Sequence, residues 1–204
     1  MNDITSNGRP VRLEGPVDLG VVRVTIGPDD RTADAVHLMD TCTGRIRSIV
    51  VEQHHGDGIK IGVGAHDLEI DNVHVVCYAK DDGKHQDGIQ VMGGKGIHFH
   101  SGYVSAFSAN NSQILIHAGA KEREIPEDVI FDNFVVDPQG SGAYGVSNGK
   151  GIACGFTNLT LLSRSNNHDL WQGSETQNPQ WSFERDSRVR LVKPQAIPLP
   201  FDTP

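Results

Sequence analysis

Aromatic side chains are scarce in this 204-residue chain, where Phe, Trp and Tyr together make up 6%. A core must therefore be built from aliphatic side chains. Cysteine is scarcer still: Cys42, Cys77 and Cys154 are the three present, and their spacing matches no metal-ligand pattern. An odd count also excludes a fully paired disulfide framework, so they read as buried thiols of a chain made in a reducing compartment. Positive charge is in deficit, with 18 Lys and Arg against 26 Asp and Glu and a net charge of -8. That balance excludes a nucleic-acid backbone as partner, because no basic patch is available to displace counterions. No apolar run is long enough to span a bilayer, so no membrane partner is expected. The opening MNDITSNGRPVRLEG lacks a basic stretch followed by an apolar one and does not read as a secretory signal.

Glycine, in contrast, is plentiful at 23 residues, while hydrophobic content is 37% and charged content 22%. These values fit an ordered, turn-rich soluble protein, and the length fits one domain with a sizeable core.

The chain repeats itself. DAVHL begins at Asp34, DGIKI at Asp57, DGIQV at Asp87 and SQILI at Ser112, with a weaker member, AYGVS, at Ala143. A second phrase follows each: RIRSIVV, LEIDNVHV, IHFHSGYV, VIFDNFVV and GFTNLTL, anchored on Ser48, Asn72, Ser101, Asn133 and Asn158. Apolar residues alternate around each anchor, and Gly, Asp and Asn separate the phrases, which is the pattern of short strands. Nothing has helical spacing over ten or more residues. Two kinds of strand recurring about every 25 residues indicate coils stacked along an axis, with like strands paired in parallel.

This pattern resembles the right-handed parallel β-helix superfamily of pectate lyases and phage tailspikes, clearly over residues 34 to 165. The resemblance implies an all-β, single-stranded right-handed parallel β-helix of about seven coils. Residues 1–192 would form the β-helix, with 1–33 as an N-terminal capping coil and 193–204 as an extended, proline-rich tail. That tail, KPQAIPLPFDTP, could lie on a neighbouring subunit. The column at 48, 72, 101, 133 and 158 resembles the internal asparagine ladder of the superfamily. Insertions are expected at 78–86, 118–127 and 137–142.

On this frame Asp34, Asp57, Asp87 and Ser112 stack in one column. His37, Lys60 and Gln90 form a second column that points outward. His54, His55 and His85 lie in the turns before these strands, and Asp81, Asp82 and Lys84 sit in the loop above them. Three chemistries are open. A glycoside hydrolase needs two carboxyls roughly 5–9.5 Å apart, which Asp57 and Asp87 could supply with Asp81 or Asp82 nearby. A polysaccharide lyase would use Lys60 as base with a divalent cation on the aspartates. A cation site alone, for an ion such as Ca2+, would use Asp57 and Asp87 or the histidines. Against all three stands turn chemistry: the aspartate accepts backbone N–H groups while the glycine supplies positive φ. Repetition favours that plainer account, since active sites are unique whereas coil corners recur.

The enzyme templates do not transfer. Pectate lyases of this fold use an outward-facing arginine, and between residues 48 and 163 only Arg123 occurs, in the loop KERE. The fold's hydrolases carry paired aspartates on a strand end, whereas Asp81-Asp82 falls in a loop. HQDGIQVMGG is similar to segments of actinobacterial and actinophage β-helix proteins. The resemblance implies a virion or extracellular-surface component, made in the cytoplasm, such as a phage tail, fibre or capsid-surface protein without a required cofactor. It would present His54, His55, Lys84, His85 and Gln90 to surface polysaccharide. Its partners would be identical subunits, a trimer first, and other virion proteins. The alternative is a carbohydrate-active lyase or hydrolase using Asp57, Lys60 and Asp87. A scaffold that self-assembles without glycan contact is a third reading.

Overall fold

The computed structural model describes residues 1–30, 34–78, 86–106, 112–117, 125–137, 144–148, 154–162, 171–172 and 190–192. The chain opens with β1 (Asn2–Asn7), β2 (Val11–Leu13) and β3 (Pro16–Ile26). It continues with β4 (Val36–Leu38), β5 (Thr43–Gln53), β6 (Ile59–Ile61), β7 (His66–Cys77) and β8 (Ile89–Val91). Then come β9 (Lys95–Phe99), β10 (Gly102–Ala106), β11 (Ser112–Ile116), β12 (Glu127–Asp132) and β13 (Phe134–Val136). The last are β14 (Tyr144–Asn148), β15 (Cys154–Thr157), β16 (Thr160–Leu162), β17 (Trp171–Gln172) and β18 (Arg190–Val192). Among the described residues there is no helix, and so none long and apolar enough to cross a membrane.

All strand pairs among the described residues are parallel, and they make a β-solenoid. Among the described residues, one sheet has seven strands in the order β2-β4-β6-β8-β11-β14-β17. The other has eleven, along the path β1-β3-β5-β7-β10-β13-β16-β18 with β9, β12 and β15 branching from β7. About four turns make the regular solenoid: β4/β5, β6/β7, β8/β9–β10 and β11/β12–β13. This corrects the expected count of about seven coils. β1–β3 open the stack, and β14–β18 continue both sheets with strands of two to five residues.

Register explains the split of the larger sheet. β7 pairs with β9 through Leu68↔Ile97 and Ile70↔Phe99, and with β10 through Val73↔Gly102 and Val75↔Val104. A bend between these halves becomes a corner that separates β9 from β10, β12 from β13 and β15 from β16. At that corner Asn133 and Asn158 take φ of 53°, a left-handed conformation that asparagine tolerates better than most residues.

The apolar columns of the sequence are the core. Leu19, Ile46, Ile70, Phe99, Phe131 and Phe156 are successive register partners. The last three rings stack at 4.6 and 5.1 Å between centroids. In the neighbouring column Val22, Ile49 and Val73 lead to Gly102 and then Phe134. A Cβ on Gly102 would lie 2.6 Å from two ring atoms of Phe134, so the missing side chain makes room for that ring. Cys42 and Cys77 are buried, unpaired thiols, and burial pushes Cys42 up to about 11.

The polar ladder stands where expected in sequence, but on the outside. Ser48 and Asn72 are register partners, and the Ser101 hydroxyl donates to Asn72 Oδ1 at 3.3 Å. Asn158 Nδ2 donates to Asn133 Oδ1 at 3.0 Å. Asn133 and Asn158 are exposed, and the others are half-buried. The expected internal ladder is thus corrected to a corner ladder, and at Asn133 and Asn158 the left-handed turn directs the side chain away from the core. Of the insertions expected at 78–86, 118–127 and 137–142, residues 79–85, 118–124 and 138–142 lie outside the described residues, as does the tail at 193–204.

Candidate functional site

The doubled Asp-Gly phrase occupies the turn that leads into the seven-stranded sheet. Asp57 Oδ1 accepts the N–H of Asp87 at 2.8 Å, and Asp87 Oδ1 accepts the N–H of Ser112 at 3.1 Å. Each carboxylate therefore ties its own coil to the next, and both side chains are buried. Such bonds satisfy main-chain donors that the turn would otherwise leave without a partner.

The glycines serve a purpose different from the one expected. Gly58 and Gly88 are absent from the positive-φ glycines, which are Gly8, Gly15, Gly44, Gly94 and Gly96. A Cβ on Gly58 would collide with Val75 Cγ1 and lie 2.6 Å from the Gly88 carbonyl. One on Gly88 would collide with Val104 Cγ1 and lie 2.6 Å from the Gln113 carbonyl. Close approach of opposite walls, rather than left-handed backbone, requires glycine here.

Beside this corner runs the outward column. Arg12, His37, Lys60, Gln90 and Leu115 are successive register partners, and the strands holding Lys60 and Gln90 alternate buried and half-buried residues. Lys60 Nζ lies 3.5 Å from Asp34 Oδ2 and 3.7 Å from Asp57 Oδ2. Gln90 Nε2 donates to Asp87 Oδ2 at 3.4 Å. Burial raises Asp57 to about 6, opposed by the Asp87 N–H and reinforced by the Asp34 charge and its side-chain hydrogen bond. Burial likewise lowers His37, against the raising effect of Asp34.

Each of the three chemistries would meet groups already in place at this corner. Asp57 and Asp87, the carboxyl pair a glycosidase would use, each have one oxygen bonded to the backbone N–H of the next coil. Lys60 Nζ, the base a lyase would use, lies within 3.7 Å of the Asp34 and Asp57 carboxylates. A cation on Asp57 and Asp87 would compete with Lys60 Nζ and the Gln90 amide for the Oδ2 atoms, since each Oδ1 holds a backbone N–H.

The turn histidines are held by the backbone around them. Gln53 Oε1 accepts the N–H groups of His54 and His55 at 3.0 and 3.2 Å. His54 stacks on Tyr78 with centroids 4.6 Å apart, and His55 Nε2 lies 2.8 Å from the Pro28 carbonyl. Asp81, Asp82, Lys84 and His85 lie outside the described residues.

A second cluster, on the larger sheet, escaped the sequence reading. Glu69 of β7 and His98 of β9 are register partners, and His100 follows two residues later on the same outward side. His100 Nε2 lies 2.5 Å and His98 Nδ1 3.7 Å from Glu69 Oε2. His98 Nε2 lies 2.7 Å from Asp132 Oδ2 of β12. One rung below, Arg45 pairs with Asp71 through bonds of 2.9–3.2 Å. The available signal was the His-x-His of IHFH, masked by its position in a strand phrase read for its apolar residues.

No protein-family model, curated protein or solved structure matches this chain.

Proposed function

We propose that the chain is a non-catalytic surface β-solenoid, of the virion type found in phage tails, fibres or capsid decorations. The observation that carries this reading is the use of Asp57 and Asp87 as coil ties: both are buried, and one oxygen of each is bonded to the next coil's backbone. What remains accessible is a rigid, ordered column of polar side chains, Arg12, His37, Lys60 and Gln90, spaced by the parallel-strand repeat of ~4.8 Å. Such a face suits contact with an extended glycan or a neighbouring subunit, with polysaccharide and identical subunits, a trimer first, as partners at a virion or extracellular surface. Pectate lyase-like kinship belongs to this proposal as an inference from the repeat pattern.

A second reading has one observation in its favour. A buried carboxyl raised to about 6 beside a lysine is the kind of group a general acid requires, and Asp57 is one. A polysaccharide lyase or glycoside hydrolase centred on Asp57, Lys60 and Asp87 is therefore the alternative.

Affinity electrophoresis through gels containing single polysaccharides tests the proposal, alongside the mass of the full chain in solution. Retardation by at least one polysaccharide, lost in Lys60→Ala and Gln90→Ala, or an oligomer whose assembly those variants weaken, is the expected result. A monomer with unretarded mobility in every gel would overturn it.

A further inference from the structure

We propose that Glu69, His98 and His100 form a binding site for a divalent transition-metal ion, zinc foremost, with Asp132 as the outer partner of His98. The inference rests on a different face from the proposed function and does not depend on it.

Strand geometry assembles the ligands. Side chains two apart on a strand share a face, so His98 and His100 project together, with ring centroids 3.9 Å apart. Parallel register places Glu69 directly beneath His98. One ligand atom from each of the three residues lies within 4.8 Å of the other two. In a tetrahedral zinc centre with bonds of ~2.0–2.1 Å, ligand atoms stand about 3.3 Å apart. The separations of 2.5 Å (His100 Nε2 to Glu69) and 3.7 Å (His98 Nδ1 to Glu69) straddle that value. Side-chain adjustments of around an ångström would complete the set, with no change in the backbone.

Asp132 makes the arrangement more specific than a surface ion-pair cluster. Its Oδ2 lies 2.7 Å from His98 Nε2 and accepts the ring proton there. With Nε2 donating to Asp132, Nδ1 is the ring atom directed toward Glu69 Oε2, 3.7 Å away. A cation between these two atoms would be coordinated by both. The carboxylate–histidine–metal chain is also the usual way an outer group fixes tautomer and ring orientation.

The donor set selects the metal class. Two imidazole nitrogens and one carboxylate favour zinc and its neighbours over Ca2+ or Mg2+, which prefer oxygen alone. Three protein ligands leave a tetrahedral position for water or another group. His100 and Glu69 side chains are 41% and 51% exposed, so an ion can enter from solvent. Arg45, the register partner of Glu69, is engaged by Asp71, which offsets its repulsion of a cation.

The test uses the full, untagged chain stripped with a chelator and titrated with zinc chloride by calorimetry. One zinc per chain is expected. The His98→Ala/His100→Ala double variant and Glu69→Gln should lose more affinity than the roughly 10–100-fold that loss of an outer partner costs, and Asp132→Asn should fall within that range. X-ray absorption on the zinc-loaded wild-type chain should show two imidazole nitrogens, a readout independent of whether any variant folds. No zinc binding, binding unchanged in the double variant, or a metal shell without imidazole would each overturn the proposal.

Discussion

The carboxylate of Asp57 accepts the main-chain N–H of Asp87 at 2.8 Å, thirty residues further along the chain. Asp87 does the same for Ser112 at 3.1 Å. The repeated phrase is thus a relay, each corner aspartate capping the corner above it.

Removing the Asp87 acceptor should be costly. In Asp87→Ala the Ser112 N–H and the Gln90 amide lose their carboxylate partner at a buried corner, at about 1–3 kcal/mol for an unsatisfied buried group. Urea unfolding of the variant should show a lower midpoint with an unchanged slope.

Asp57 should make stability pH-dependent in an unusual direction. Its folded value of about 6 lies above the ordinary 3.8, so between those values the folded state holds more protons than the unfolded one. This residue's contribution to stability is therefore greatest below about pH 4 and declines as pH rises to 6, by roughly 3 kcal/mol. Asp57→Asn cannot ionise and keeps an acceptor for the Asp87 N–H. Relative to wild type it should gain stability progressively from pH 4 to pH 7. A difference that stays flat across this range would show that Asp57 ionises normally in the folded chain.

The corner glycines give a steric prediction. Gly88→Ala drives a Cβ into Val104 and toward the Gln113 carbonyl, and backbone cannot yield cheaply. A loss of about 1–3 kcal/mol is expected, with partial recovery in Gly88→Ala/Val104→Ala because the colliding methyl is removed. An additive double variant would place the strain elsewhere.

Much of this architecture was legible in the residues. Period-two apolar positions such as Leu68, Ile70, Val73 and Val75 mark strands, and their recurrence marks stacking. The registers Ile59↔Ile89 and Lys60↔Gln90 follow from aligning the Asp-Gly phrases. Two features were not legible, for physical reasons. Asparagine suits both a buried ladder and an exposed left-handed corner, so the column at 72, 133 and 158 does not reveal its side of the sheet. Glycine suits both positive φ and close approach, and only the distance to Val75 and Val104 decides between them. The Glu69, His98, His100 and Asp132 cluster was hidden for a third reason: outward residues carry no apolar period, and their meeting depends on register across three coils.

The aromatic column should hold the upper coils together. Phe131 is fully buried between the stacked rings of Phe99 and Phe156 and meets Phe134 edge-on at 5.3 Å. Phe131→Ala should cost about 3–5 kcal/mol, whereas Phe131→Leu, which refills part of the volume, should cost less. Thermal unfolding followed by circular dichroism orders the two variants against wild type.

The central claim, that the doubled Asp-Gly phrase builds coils and does not perform catalysis, meets its most direct test in turnover. The full chain is incubated with a broad panel of acidic and neutral polysaccharides, and unsaturated products and new reducing ends are measured. The account predicts neither product from any polysaccharide. Product formed by wild type and abolished in a folded Asp57→Asn or Asp87→Asn variant would contradict it.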